Sequence, residues 1–269
     1  RRKMAVLFTS RGCPYRCIYC HNIFGKKFRY RSAQSIYDEI TYLYNRYNIR
    51  DFSIIDDNFT FDRQRVEEFT DKIISSKLDI NLYFPNGLRA DSLTYKLVDK
   101  LIQAGMIWAT FSVETSSERL QRFIKKDVNI KKLEQIVEYC CEKRVITNLC
   151  VMVGFPTETL EEAEESLYYL SKFKKLVMPY YFSVKYYSGT EIFNMAKEYG
   201  IDVSLDTYRS SYHGSLFQET PQLNKKDYDR LYRKYMRDIF LNNERLKNSI
   251  EILMEHFTED EIKDIYTLW

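Results

Sequence analysis

Between residues 4 and 200, short apolar runs alternate six times with stretches whose apolar residues recur at helical spacing. The runs fall at Met4 to Phe8, Asp51 to Asp56, Asn81 to Pro85, Ile107 to Val113, Thr147 to Val153 and about Tyr180 to Tyr186. Short continuous apolar runs suit strands buried on both faces, so Met4 to Phe8 is expected to be a buried parallel strand. The stretches between them show the 3.6-residue period, as in Ile36, Ile40, Leu43, Tyr44 and Tyr47. Ser32, Asn129 and the pair Thr159 and Glu162 are predicted to cap helices. Strands joined by crossover helices form a parallel sheet with right-handed connections. Six such units build either a doubly wound sheet or a curved, partly open barrel, and periodicity alone does not choose between them.

Past Gly200 the alternation stops. Ile201 to Leu223 reads as a mostly irregular connection, after which Asn224 and Asp227 cap a helix with Tyr228, Leu231, Tyr232 and Tyr235 on one face. Leu246, Ile250, Leu253 and Met254 mark a second helix, and Thr258 with Glu261 opens a third. The expected division is an α/β core over residues 1–200 and, over residues 201–269, a connection and helical extension packed on it.

In parallel α/β folds, active sites lie on the loops that follow the strands. The first such loop, Thr9 to Cys20, reads T-S-R-G-C-P-Y-R-C-I-Y-C and sets Cys13, Cys17 and Cys20 in a C-x3-C-x2-C array. Thiolates suit iron–sulfur clusters and zinc. A cubane held by protein alone takes four cysteines, and structural zinc closes with four ligands. No second C-x2-C or H-x3-5-H pair is present, so a [4Fe–4S] cluster here would keep one iron open to a small molecule. His21 remains as a candidate fourth ligand, and a zinc site or an electron-transfer iron–sulfur module stays open on spacing alone. Cys140 and Cys141, at helical spacing, and Cys150, in an apolar run, read as core thiols.

The array C-x3-C-x-aromatic-C, with Tyr19 in the aromatic slot, resembles the signature of the radical S-adenosylmethionine (SAM) superfamily. The fuller string resembles its cobalamin-binding branch. The resemblance covers about residues 4 to 200 and implies a partial (β/α)6 TIM-like barrel. It implies that Cys13, Cys17 and Cys20 bind three irons of a [4Fe–4S] cluster while SAM chelates the fourth. It further implies that Asp56 and Asp57 meet the SAM amino group and Glu114 the ribose, with Gly154, Phe155 and Pro156 beside adenine. Arg89 is expected at the SAM carboxylate or the substrate. The implied reaction is reductive SAM cleavage to a 5′-deoxyadenosyl radical that takes hydrogen from a small-molecule substrate, with flavodoxin or ferredoxin as reductant. No D-x-H-x-x-G motif occurs, so cobalamin-dependent methylation would need a cobalamin domain not present in these residues.

Net charge is +3, yet Arg11, Arg16, Lys26, Lys27, Arg29 and Arg31 all precede the first acid, Asp38. Such a rim suits an acidic electron donor. The 23 tyrosines and 17 phenylalanines do not alternate with basic residues, which argues against nucleic acid. No apolar run reaches the roughly 18 residues a membrane helix needs. With no signal core, the expected location is the reducing cytoplasm, where a disulfide staple does not form. The chain starts at Arg1 and enters a strand almost at once, as a piece of a longer protein would.

Overall fold

The computed structural model describes residues 2–21, 23–204 and 218–267. Its strands are β1 (Met4–Leu7), β2 (Ser10–Arg11), β3 (Arg29–Tyr30), β4 (Asp51–Ile54), β5 (Asn81–Leu88), β6 (Met106–Glu114), β7 (Ile146–Val153) and β8 (Met178–Ser183). The core helices are α1 (Ala33–Tyr47), α2 (Arg63–Ser76), α3 (Tyr95–Gln103), α4 (Glu118–Phe123), α5 (Ile130–Glu142), α6 (Leu160–Tyr169) and α7 (Glu191–Ala196). Three more follow: α8 (Lys225–Lys234), α9 (Asn243–Leu253) and α10 (Glu259–Thr267).

Six strands form one sheet in the order β1-β4-β5-β6-β7-β8, every pair parallel. Spatial order therefore follows chain order with no reversal. A doubly wound sheet reverses at a switch point, so this winding is that of a barrel. With β1 and β8 at opposite ends of the sheet, the barrel is partial.

Side chains alternate along each strand, which divides the sheet into two faces. Phe52, Ile54, Leu82, Phe84, Ala109, Phe111, Leu149 and Val151 pack in one cluster with Ile36, Ile40, Phe69, Val98 and Val137 from the helices. Each such fully buried Val, Leu, Ile or Phe side chain stabilises the fold by about 1.5–3 kcal/mol. The alternate residues, among them Ser53, Thr110, Ser112, Asn148 and Cys150, face the concave side. Cys140 and Cys141 are buried on α5.

Ser32, Asn129 and Asn224 accept from the amide two or three residues on, and Thr159 with Glu162 forms a reciprocal capping box. Beyond residue 217, α9 and α10 pack Ile252, Leu253 and Ile262 against Ile146, Val177 and Met178. Buried Arg245 ties α9 to the chain before β8 by donating to the Val177 carbonyl at 2.5 Å, and to the preceding turn of the extension by donating to the Ile239 carbonyl at 3.1 Å. The Arg2 guanidinium pairs with Glu261 at 2.9 Å on α10.

Three features depart from expectation. As an edge strand, β1 leaves Met4, Val6 and Phe8 at 45%, 59% and 38% exposure, so it is not buried on both faces. The sixth strand begins earlier, at Met178, because a proline at position 179 is tolerated at a sheet edge. A π-helical turn, Tyr235–Phe240, interrupts the extension where the Tyr235 hydroxyl reaches the Pro179 carbonyl at 2.8 Å. Within the expected irregular connection, residues 205–217 lie outside the described residues.

Candidate functional site

The cysteine loop is tied off at its base by a two-stranded ribbon that the sequence did not disclose. There β2 pairs antiparallel with β3, Ser10 opposite Tyr30. Gly12 crosses this neck at φ +85°, where a Cβ would stand 2.4 Å from the Lys27 carbonyl oxygen. Only glycine fits. Farther along, the buried Ile18 anchors the loop: its amide donates to the Ile124 carbonyl and its carbonyl accepts from the Ile192 amide, both at 3.0 Å.

Cys13 and Cys20 line a pocket of 290 Å³ together with His21, Lys26 and Asp57. The Asn58 amide lies 4.0 Å from the Cys13 sulfur. Burial raises the Cys17 thiol and pushes that of Cys20 up to about 11, with Cys17 adding to the effect. Burial therefore disfavours bare thiolates at these two positions. Among the described residues no group of three or more His, Cys, Asp or Glu side chains is placed to hold a single metal ion.

The two adjacent aspartates after β4 separate. Asp56 is buried and turned into the protein. It accepts from the Thr9 amide and the Ser10 hydroxyl, both at 2.6 Å, and from the Thr9 hydroxyl at 2.5 Å. Buried Arg65 stands 3.8 Å away. Asp57 accepts from the Gly12 amide at 2.7 Å and faces the pocket. Of the pair, Asp57 alone lines the pocket, and Asp56 holds the chain between β1 and the cysteine loop.

Glu114 ends β6 at a register shift and adopts φ +67°, a left-handed conformation that non-glycine residues keep only when their surroundings hold it. Its Oε1 accepts from the Tyr19 hydroxyl at 3.1 Å and pairs with Lys126 Nζ at 2.7 Å. Burial drives the Tyr19 phenol well above its ordinary value, and Glu114 adds to that. Lys126 escaped the sequence reading. It lies in a short turn after α4 with no motif around it, and only the fold brings it to Glu114.

Arg89, expected at a ligand, spends its guanidinium on protein. It pairs with Asp91 at 2.9 Å and donates to the carbonyls of Lys126 at 3.0 Å and Asp127 at 3.2 Å. It also lies 4.0 Å over the Tyr15 ring. After β7, Gly154 turns at φ +101°, and a Cβ there would meet the Tyr228 hydroxyl at 2.8 Å. Phe155 and Pro156 are buried, the Phe155 ring edge-on to Tyr19 at 6.0 Å. Fully buried Glu158, another residue the sequence did not single out, accepts from the amides of Gly154 at 2.5 Å and Phe155 at 3.1 Å. Burial pushes its carboxyl up to about 8 against the pull of those two amides.

Every candidate thus sits on a strand-end loop or strand terminus, at the pole where β/α barrels carry their chemistry. A six-stranded parallel half-barrel with a cysteine-bearing first loop is the scaffold of one enzyme class. Residues 7–170 match the model of the Radical SAM superfamily, and the chain belongs to that superfamily. Its members use a [4Fe–4S] cluster and SAM.

An uncharacterized methyltransferase of Pyrococcus horikoshii is 28% identical over 169 residues, which is 62% of this chain and 36% of that protein. Cytidylyl-2-hydroxyethylphosphonate methyltransferase of Streptomyces wedmorensis is 25% identical over 255 residues, 90% of this chain and 47% of that one. The chain spans less than half the length of either relative. In structure it is similar to the radical SAM methyltransferase TsrM of Kitasatospora setae, solved with cobalamin and a [4Fe–4S] cluster bound. The TM-score is 0.65 at 17% identity, over 72% of this chain and 39% of that one. Coproporphyrinogen III oxidase of Escherichia coli gives a TM-score of 0.58 at 12% identity, over 87% and 53%. These structural likenesses concern the fold.

Proposed function

We propose that Cys13, Cys17 and Cys20 hold a [4Fe–4S] cluster whose fourth iron takes the amino-acid end of SAM. The observation that carries this reading is the shared pocket of Cys13, Cys20 and Asp57 at the strand-end pole. Bound there, the cofactors supply an electron to the sulfonium and a 5′-deoxyadenosyl radical for hydrogen abstraction from a small-molecule substrate. The chain's own residues bind and orient. Asp57 offers a carboxylate to the ammonium of SAM, a charge-assisted contact. Glu114, fixed by Tyr19 and Lys126, offers its second oxygen to the ribose. Gly154 and Phe155 form the adenine wall, which Glu158 holds by its amides. In this reading residues 1–200 are the catalytic core, and residues 201–269 are a connection and helical extension packed on it.

The relatives' names favour methyl transfer as the outcome, and cobalamin, if it takes part, would need a domain not present in these residues. Exposed Arg16, Lys26, Lys27 and Arg29 border the cysteine loop and suit docking of an acidic flavodoxin or ferredoxin in the cytoplasm. No described helix is long and apolar enough to cross a membrane. The reading is tested by anaerobic reconstitution with iron and sulfide, then dithionite and SAM. Brown protein that forms 5′-deoxyadenosine supports it. Colourless protein carrying stoichiometric zinc, or a cluster that leaves SAM intact, refutes it.

A further inference from the structure

Arg89 touches two separate parts of the site at once. Its Cζ lies 4.0 Å from the centroid of the Tyr15 ring, which sits between Cys13 and Cys17 in the sequence. Tyr15 is itself steadied from the far side by an edge-on contact with Phe61 at 6.2 Å. In the other direction, Arg89 donates to the carbonyls of Lys126 and Asp127. That turn is unusual, because Lys125 and Asp127 adopt φ +53° and +46° on either side of Lys126. Left-handed backbone costs a non-glycine residue about 1–2 kcal/mol, so two such residues in a row of three need external support. The turn's amides are held by the Gln121 carbonyl at 3.2 Å and 3.4 Å. Its carbonyls are held by Arg89.

The orientation of Arg89 is itself fixed. Asp91 pairs with it at 2.9 Å, both side chains 13% exposed, and the Asp91 carboxylate also accepts from the Asn129 amide. The Asp91 backbone carbonyl accepts from Lys132. A guanidinium serves this arrangement where a lysine would not, since its fixed fork of donors reaches two carbonyls and a carboxylate while its Cζ lies over a ring.

We propose that Arg89 is a positioning residue that locks the cysteine loop and the Lys125–Asp127 turn to each other, and so sets Lys126 against Glu114. The carboxylate that faces the ribose, and the loop that carries the three cysteines, then share one rigid reference. This inference rests on the cofactor assignment above only for its consequence in SAM binding. The coupling between the two segments belongs to the protein alone.

Amide hydrogen exchange on the full chain separates the two, with Arg89→Lys as the variant because it keeps the charge beside Asp91. The reporters are the Ile18 amide, bonded to the Ile124 carbonyl, and the Lys126 amide, bonded to the Gln121 carbonyl. Both should exchange about 10- to 100-fold faster in the variant, the scale of losing charge-assisted hydrogen bonds. Tyr15→Leu should produce the same joint change, whereas Tyr15→Phe, which keeps the ring, should not. Faster exchange in only one segment, or in neither, overturns the proposal. On reconstituted protein, Arg89→Lys should keep its iron content while SAM affinity falls roughly 10- to 100-fold, the range for small misplacement of a bound group. Unchanged SAM affinity in a variant with faster exchange reduces Arg89 to a structural role and also overturns it. If wild-type protein binds neither iron nor SAM, the cofactor assignment fails and the exchange data still judge the coupling.

Discussion

The Tyr19 hydroxyl donates to Glu114 Oε1 at 3.1 Å and so joins the cysteine motif to the end of β6 across 95 positions of sequence. The same oxygen pairs with Lys126, and both charged side chains are about nine-tenths buried (10% and 9% exposed). Glu114→Gln keeps the shape but leaves Lys126 without its counter-charge, a loss on the order of 3 kcal/mol for a buried pair. Tyr19→Phe removes one hydrogen bond and should cost about 0.5–1.5 kcal/mol. Urea denaturation of both variants checks the order, and equal losses would mean that the ion pair contributes nothing beyond a neutral contact.

The separation of Asp56 from Asp57 predicts opposite phenotypes. Asp56→Asn disturbs a carboxylate bonded to Thr9 and Ser10 beside Arg65, and should lower stability by about 1–3 kcal/mol. Asp57→Asn should leave the melting temperature nearly unchanged while weakening SAM binding to the reconstituted protein. Calorimetry reads both quantities, and a large unfolding effect at position 57 with intact SAM affinity would reverse the assignment.

Alanine at Cys13, Cys17 or Cys20 should abolish cluster assembly, measured as iron per chain and visible absorbance. Cys140→Ala, in the buried face of α5, should retain the iron and lose only about 1–2 kcal/mol for the vacated sulfur volume. Iron loss at Cys140 would contradict its place in the helical core.

Glu158 predicts a dependence on pH. Burial raises its carboxyl from the ordinary 4.5 to about 8, so the folded protein favours the protonated form. The stability from that preference is complete below the unfolded value and is lost as pH rises through about 8. Glu158→Gln has no proton to lose. Wild type should therefore fall relative to the Gln variant between about pH 5 and 8, by at most about 1.4 kcal/mol per pH unit. Parallel stability profiles for the two proteins would show that this carboxyl titrates normally.

What was legible in the sequence was local or strictly periodic. The caps at Ser32, Asn129 and Thr159 depend on a side chain and an amide a turn away, so spacing alone locates them. The cysteines and the strand-end acids follow from the alternation of units. Asp56 and Asp57 could not be told apart, because one step along the chain reverses direction and only the packed neighbours Thr9, Ser10 and Arg65 show which one turns inward. Lys126 and Glu158 were invisible for a related reason: their partners come from β6 and from a turn the fold creates. The exposure of β1 depends on what covers a sheet edge, which no apolar run reports.

That bare edge has a practical side. Met4, Val6 and Phe8 present an oily strip on a strand paired along one side only among the described residues. A strand in that state is a template for another strand, and oil on its face makes the meeting adhesive. A concentrated stock of this polypeptide is therefore at risk of clumping through its first strand.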